Sequence, residues 1–137
     1  MANTLRIGVI GAGHFGRFHA LKIASSQRAT LAGVHDRDAD RAARVGAEAG
    51  GAPALDLPTL FAAVDAVVIA APADAHFDLA EQALLAGRHV LVEKPLAATL
   101  AQADRLAALE RLRLGMAYDY DPRVVEALAV VLQRSMA

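Results

Sequence analysis

Three closely spaced glycines follow an apolar run near the start of the chain. The run is LRIGVI, and the stretch after it, GAGHFGRFHA, contains Gly11, Gly13 and Gly16. Gly11 permits a tight turn, Gly13 lets the backbone approach a pyrophosphate, and Gly16 lets a helix lie close on the strand. A helix that begins here presents free N–H groups and its positive dipole end to phosphate. The spacing therefore predicts a dinucleotide-binding loop.

An acidic residue stands where the adenosine ribose of such a cofactor would lie. Asp36 is 20 residues beyond Gly16, at the end of the second predicted strand. Its carboxylate can accept hydrogen bonds from both ribose hydroxyls, which favours NAD. Arg37 can stack on the adenine or pair with a 2′-phosphate, so NADP stays open as the alternative. We also place His14 and Phe15, which lie within the loop, among the cofactor contacts.

Two further polar stretches follow apolar runs of strand length. AAPADAH contains Ala71, Pro72 and His76, and EKP begins at Glu93. Both stretches would lie at the carboxyl ends of strands, where α/β sheets bind ligands. Taken alone, EKP is typical of a solvated charge pair before a turn. A single histidine on a helix is more often a surface or packing residue than a catalytic one.

Apolar runs of strand length alternate with longer stretches of helical periodicity. Strands apolar on both faces, each followed by a helix, indicate parallel pairing with right-handed crossovers. We therefore predict a doubly wound α/β sheet, a Rossmann fold with three layers (α/β/α). Asp74 is the predicted cap of the fourth helix, and Gly87 its predicted end. The predicted strands are 5–10, 29–36, 52–55 (weak), 65–72, 88–92 and 112–118, and the predicted helices are 14–25, 39–50, a short one after Pro58, 74–87, 99–111 and one from about 123.

The composition argues against several other classes of protein. The chain has no cysteine, which excludes disulfides, cysteine–zinc sites and iron–sulfur ligation, and its five histidines show no metal-ligand spacing. A net charge of −1 provides no basic field for nucleic acid or an anionic membrane. The first residues lack the pattern of a signal peptide, and no apolar run is long enough to span a bilayer. We expect a cytoplasmic protein with no metal, nucleic-acid or membrane partner.

Together, these motifs resemble those of the Gfo/Idh/MocA family of oxidoreductases. The resemblance rests on GAGHFGRFHA, DRDADRA, APADAHFDLA and VLVEKPLAATLAQADRL, and it extends to about residue 122. It implies NAD(P)-dependent hydride transfer to or from a sugar-like or polyol substrate. In the family, the EKP lysine lies beside the nicotinamide, helps to bind the substrate and assists proton transfer. The resemblance assigns that catalytic role to Lys94.

The resemblance also implies contacts on the nicotinamide side of the cofactor. Glu93 would contribute a polar contact, and Pro72 and His76 would line this side together with Ala71. One stretch departs from the family pattern, because GMAYDYDP stands at 115–122 where members usually have a sequence such as GHNRRFDP. The family asparagine that helps to hold the cofactor ribose is replaced here by alanine.

The resemblance further implies a second α/β domain that supplies most of the substrate site. We expect residues 1–122 to form the cofactor domain, and residues 123–137 are too few to build that second domain. The final helix carries an apolar stripe, which would pack on this domain or on a partner subunit. We expect a homo-oligomer that forms through this C-terminal surface. Two functions stay open: an oxidoreductase or its cofactor-binding part, and a non-catalytic NAD(P)-binding module or redox-sensing subunit.

Overall fold

A computed structural model describes the backbone of residues 4–116 and the side-chain surroundings of residues 4–110. Strands and helices alternate along this part of the chain. The strands are β1 (Leu5–Ile10), β2 (Ala29–His35), β3 (Ala66–Ile69) and β4 (His89–Val92). The helices are α1 (His14–Ala24), α2 (Ala39–Glu48), α3 (Leu57–Ala63), α4 (His76–Leu85) and α5 (Leu100–Met116), with a short 3₁₀ helix (Ala73–Ala75) before α4.

The strands of the described residues form one parallel sheet in the order β2-β1-β3-β4. The chain runs from β1 outward to β2, then returns to place β3 on the other side of β1. Because the strand order reverses here, the topological switch point lies between β1 and β3. Sheets of this kind bind ligands in the crevice at the carboxyl ends of the strands on either side of that point. The predicted doubly wound Rossmann fold is confirmed.

Side-chain alternation along the central strands divides the core into two layers. On β3, Ala66 and Val68 belong to one apolar cluster, which contains buried residues of α1 and α2. Val67 and Ile69 belong to the other cluster, which contains buried residues of α3, α4 and α5. Successive strand residues point to opposite faces, so both faces of this strand are buried under helices. The predicted α/β/α layering follows from that alternation.

Helix boundaries follow local capping chemistry in some places and not in others. The Asp38 carboxylate accepts hydrogen bonds from the N–H groups of Asp40 and Arg41 and caps α2. Gly87 follows α4 with φ of +75°, as predicted for a residue that ends a helix. The predicted cap Asp74 was wrong, because it lies within the 3₁₀ helix and α4 begins at His76. The extra turn moves the start of α4 two residues along the chain.

Two predicted strands differ from the structure. Residues 112–116 are the last turn of α5, and the prediction of a strand beginning at 112 was wrong. Leucine, arginine and methionine make up most of this segment, and their high helix propensity continues the helix past Gly115. The predicted weak strand at 52–55 is reduced to an isolated bridge between Val34 and Ala54. The predicted helix from 123, and the oligomer surface expected on it, lie outside the described residues.

No helix in residues 4–116 combines the length and the apolar character needed to cross a membrane. Within the same residues, no three histidine, cysteine, aspartate or glutamate side chains come together as a candidate metal site.

The amino-terminal edge of the sheet contains an ion pair between Arg6 of β1 and Asp65, just before β3. Asp65 accepts hydrogen bonds from the Arg6 backbone N–H at 2.9 Å and from its guanidinium at 2.9 and 3.3 Å. Burial alone would raise the pKa of Asp65, but the hydrogen bonds and charge of Arg6 outweigh it and lower this pKa. The charged carboxylate therefore holds two neighbouring strands together.

We expect Asp65→Asn to lower the melting temperature at neutral pH, and to have less effect in acid. A carboxylate with a lowered pKa stabilises the fold fully above its unfolded value of 3.8. That stabilisation is lost as the pH falls through the lower folded value. Because the pair is partly exposed, its contribution is below about 1 kcal/mol. Thermal unfolding of both proteins across this pH range tests the expectation, with exposed Asp104→Asn as the control. A difference in melting temperature that stays constant into acid would contradict it.

A candidate dinucleotide site at the carboxyl edge of the sheet

Three loops meet at the carboxyl edge of the sheet, after β1, β3 and β4. Backbone hydrogen bonds join each loop to the end of a neighbouring strand. The N–H of Gly11 donates to the carbonyl of His35 at 2.7 Å, and that of Ala70 donates to Ile10 at 2.8 Å. The N–H of Glu93 donates to Ile69 at 2.9 Å. The predicted loops therefore come together at the switch point, although they lie far apart in the sequence.

Close backbone contacts explain two of the three glycines in the loop after β1. Gly11 has φ of +99°, and a Cβ there would lie 2.5 Å from the backbone nitrogen of Ala71. A Cβ on Gly16 would lie only 1.6 Å from the carbonyl oxygen of Gly11. Gly13 differs, because a Cβ there would meet no atom of the described residues within 4 Å. The loop thus presents bare backbone at Gly13 to open space, as a pyrophosphate cradle requires.

Helix α1 points its amino terminus at this open space. Gly13 is the N-cap residue, and within the described residues no side chain caps the helix. The first N–H groups and the positive end of the helix dipole can therefore bind an anion. His14 and Phe15 occupy the first turn and are both exposed, with their rings edge to face at a centroid distance of 5.4 Å. Their cofactor contacts stay a prediction.

Asp36 lies beside the glycine loop and supports it. One carboxylate oxygen accepts the Ala12 N–H at 2.7 Å, and the other accepts the Asp38 N–H at 2.8 Å. Each oxygen has a second acceptor position, so the carboxylate can also bind ribose hydroxyls. Arg41 lies 3.9 Å from Asp36, and Arg37 is exposed beside it. The structure therefore adds a role that the sequence did not predict: Asp36 holds the loop to the end of β2.

His76 joins the loop after β3 to the loop after β4. Its ring is 2% exposed. Nε2 lies 2.7 Å from the carbonyl oxygen of Ala71, and Nδ1 lies 2.6 Å from that of Pro95. Pro72 is exposed next to Ala71. The sequence placed His76 on the nicotinamide side, and the structure places its ring between the two loops that would form that side.

Glu93 and Lys94 begin the loop after β4 and have different surroundings. The Glu93 side chain is half-buried, and its Oε1 forms a hydrogen bond with Nε2 of His19 on α1. Lys94 is exposed. The sequence interpretation missed His19, which is 1% exposed. The signal that could have found it is helical spacing, because His19 shares the buried face of α1 with Gly16 and Ile23.

A family model described as an oxidoreductase family with an NAD-binding Rossmann fold matches residues 5–116. The chain belongs to the Gfo/Idh/MocA family. The resemblance drawn from the motifs is confirmed, and so is the prediction of a nicotinamide dinucleotide as the cofactor. NAD is consistent with the family description, and NADP stays open.

Similar proteins include a dehydrogenase of a nucleotide sugar, and two similar solved structures contain NAD or NADP. UDP-N-acetylglucosamine 3-dehydrogenase of Acidithiobacillus ferrooxidans is 43% identical over 130 residues, which cover 94% of this chain and 41% of that protein. The structure of GenD2 from gentamicin A biosynthesis in complex with NAD matches with a TM-score of 0.78 and 36% identity, over 82% of this chain and 33% of that one. A 3-ketoreductase of Actinomadura kijaniata, KijD10, in complex with TDP-benzene and NADP matches with a TM-score of 0.74 and 38% identity, over 81% and 36%.

The chain spans about two fifths of the length of the curated relative it matches. The similarity therefore covers the Rossmann part of a Gfo/Idh/MocA protein, and the fold comparison concerns that part.

We expect Gly13→Ala and Gly16→Ala to act differently, although both add one methyl group to the same loop. At Gly16 the methyl would overlap the carbonyl oxygen of Gly11, so the loop must move, at a cost on the order of 2 kcal/mol. At Gly13 the methyl enters open space. We expect Gly13→Ala to retain stability to within about 1 kcal/mol and to weaken NADH binding, because the methyl would fill the space in which we expect the pyrophosphate.

Thermal unfolding and NADH titration of the two variants test this expectation. Unchanged NADH affinity in Gly13→Ala would show that the phosphates do not approach the loop at this residue. An unchanged melting temperature in Gly16→Ala would show that α1 does not depend on its contact with Gly11.

Proposed function

We propose that this chain binds NAD(H) across the switch point and supplies the cofactor half of an oxidoreductase site for a sugar-like or polyol substrate. The observation that carries the proposal is the meeting of three loops at one edge of the sheet: the glycine loop, the Ala71 loop and the loop that bears Lys94. These loops offer a phosphate cradle, a cleft and an amine in the order in which an extended dinucleotide would pass them.

The adenosine half would lie over β2. Asp36 follows this strand, and its remaining acceptor positions can bind the ribose hydroxyls. A 2′-phosphate would place negative charge against this carboxylate, which supports NAD as the cofactor. Arg37 and Arg41 lie close enough to offset some of that charge, so NADP remains the alternative.

The nicotinamide half would lie over β3 and β4, on the other side of the glycine loop. Ala71 and Pro72 follow β3, and the loop that begins at Glu93 follows β4. In a parallel sheet these ends lie at one edge, and β3 and β4 are paired through Ile69 and Val92. This placement brings Lys94 to the side of the crevice opposite Asp36.

Lys94 would handle the proton of the reaction. A bound nicotinamide dinucleotide supplies the hydride acceptor or donor. As the substrate alcohol is oxidised, the neutral Lys94 amine can accept the hydroxyl proton; in the reverse direction, the ammonium can return it. The ammonium also stabilises negative charge that develops on the substrate oxygen. The substrate class is supported by the sugar-directed names of the relatives. Cytoplasmic localisation and homo-oligomer formation stay predictions.

Asp36→Ala should weaken NADH binding at least about tenfold, because it removes charged hydrogen bonds to the ribose and one support of the glycine loop. Asp38→Ala is the matched control, since Asp38 is the next carboxylate along the chain and its side chain caps α2 instead. Isothermal titration with NADH and NADPH measures both affinities. Equal NADH affinity in Asp36→Ala and the unaltered chain would overturn the placement of the adenosine.

Lys94→Ala should abolish turnover of a sugar-like alcohol with NAD, and should leave NADH binding within a few-fold of the original. The expected loss of rate is on the order of 10²-fold or more, as for removal of a general acid or base. Lys22→Ala serves as the control, because its ammonium lies 4.5 Å from the Phe18 ring centroid on α1. Turnover and NADH binding are measured on the same preparations.

Full turnover in Lys94→Ala would show that another group moves the proton. NADH binding without turnover, when the substrate half of the site is also present, would favour the non-catalytic module instead.

A further inference from the structure

Two buried histidines bond to the residues on either side of Lys94. His19 of α1 is 1% exposed, and His76 of α4 is 2% exposed. His19 bonds to the Glu93 carboxylate, and His76 bonds to the Pro95 carbonyl. Lys94 stands between these two bonded residues and is itself exposed. We refer to residues 93–95 as the lysine turn.

The first contact joins the lysine turn to helix α1. Nε2 of His19 and Oε1 of Glu93 form a hydrogen bond between residues 74 positions apart. The Glu93 backbone N–H also donates to Ile69 at 2.9 Å, so this residue is held at both its backbone and its side chain. A hydrogen bond to a carboxylate is stronger than one between neutral groups. The position of Glu93 is therefore set by α1 as well as by the sheet.

The second contact joins the lysine turn to the loop after β3. The two ring nitrogens of His76 face two carbonyl oxygens, those of Pro95 at 2.6 Å and Ala71 at 2.7 Å. A neutral imidazole has one N–H and can donate to one of them, whereas the doubly protonated ring can donate to both. In either form the ring spans the gap between two loops of the site. The end of the lysine turn is thus held against the loop that begins the nicotinamide side.

We propose that His19 and His76 are positioning residues, which hold the lysine turn so that Lys94 faces the nicotinamide end of the crevice. This inference rests on the proposed function, because it gives these residues a task only if Lys94 acts there. A lysine side chain has a flexible four-carbon stem and cannot fix its own direction. Its precision must come from the backbone that bears it, and a misplacement of about 1 Å at a reacting group is costly.

The His19 contact also connects the two halves of the cofactor site. The amino terminus of α1 faces the expected position of the pyrophosphate, and His19 lies further along the same helix. Helix α1 thus sets the distance between the phosphate cradle and the lysine turn. Removal of His19 should affect the nicotinamide end selectively, provided that the helix itself stays in place.

The test compares the binding of NADH with that of ADP-ribose, which lacks the nicotinamide. Both His19→Ala and Glu93→Ala release the whole lysine turn from its support, whereas Lys94→Ala removes one exposed side chain from a turn that stays in place. We therefore expect the ratio of NADH affinity to ADP-ribose affinity to fall about tenfold in these two variants, the scale of a lost charged hydrogen bond. ADP-ribose affinity should stay within about twofold. Because each variant breaks the same contact, the double variant should show no further fall. His76→Ala should lower the ratio in the same direction.

Two further variants separate positioning from a general effect on folding. Ile23→Val removes one buried methyl group from the same helix, four residues beyond His19, and should leave the affinity ratio unchanged. His19→Gln retains an N–H donor for Glu93 and should restore most of the ratio. If His19→Ala does not fold, the comparison of His19→Gln with Glu93→Gln tests the proposal instead. Glu93→Gln weakens the contact with His19 and should by itself lower the ratio of NADH affinity to ADP-ribose affinity.

Each possible result decides between the two proposals. An unchanged ratio in folded His19→Ala and Glu93→Ala, or an equal loss of affinity for both ligands, would overturn the positioning role and leave the proposed function standing. An unaltered chain that binds neither NADH nor ADP-ribose would overturn the proposed function, and this inference with it. A selective fall in NADH affinity, restored by His19→Gln, is the result we expect.

Discussion

The close approach of Gly16 to the carbonyl of Gly11 is the contact on which the rest of the site depends. A Cβ at Gly16 would lie 1.6 Å from that oxygen, so only glycine lets α1 begin so near the end of β1. Through this contact, the amino terminus of α1 points into the open space beside Gly13. The same placement brings His19 within hydrogen-bonding distance of Glu93. The absence of a Cβ at Gly16 thus positions α1, and α1 in turn positions both the phosphate cradle and the contact with Glu93.

Side-chain hydrogen bonds hold the loops of the site in place. Asp36 supports the glycine loop through the Ala12 N–H, and His76 bonds to Ala71 and Pro95. Asp36 uses only part of its hydrogen-bonding capacity within the protein, whereas both ring nitrogens of His76 face backbone carbonyls. The difference separates a residue that can still bind a cofactor from one that organises its surroundings.

Much of the fold could be predicted because its signals are local. Apolar runs such as 5–10 and 65–72 are hydrophobic on both faces, and this pattern is typical of strands covered by helices. The errors also have local causes. The apolar run predicts a strand from 112, but leucine, arginine and methionine continue α5 to Met116; Asp74 matches a helix-cap pattern, but a 3₁₀ turn intervenes before α4. Periodicity indicates the type of an element better than its ends.

By itself, the sequence determined the family, the Rossmann fold and the glycine loop, because each depends on residue types at short and regular spacing. It also identified Asp36, Glu93 and Lys94 as candidates through their places after apolar strands. Only the tertiary structure decided what these side chains contact. His19 and Glu93 are 74 positions apart, and nothing in either local pattern indicates that they bond. Such pairs depend on how the helices pack on the sheet. Packing brings residues that are distant in the sequence into contact, and their separation along the chain does not indicate it.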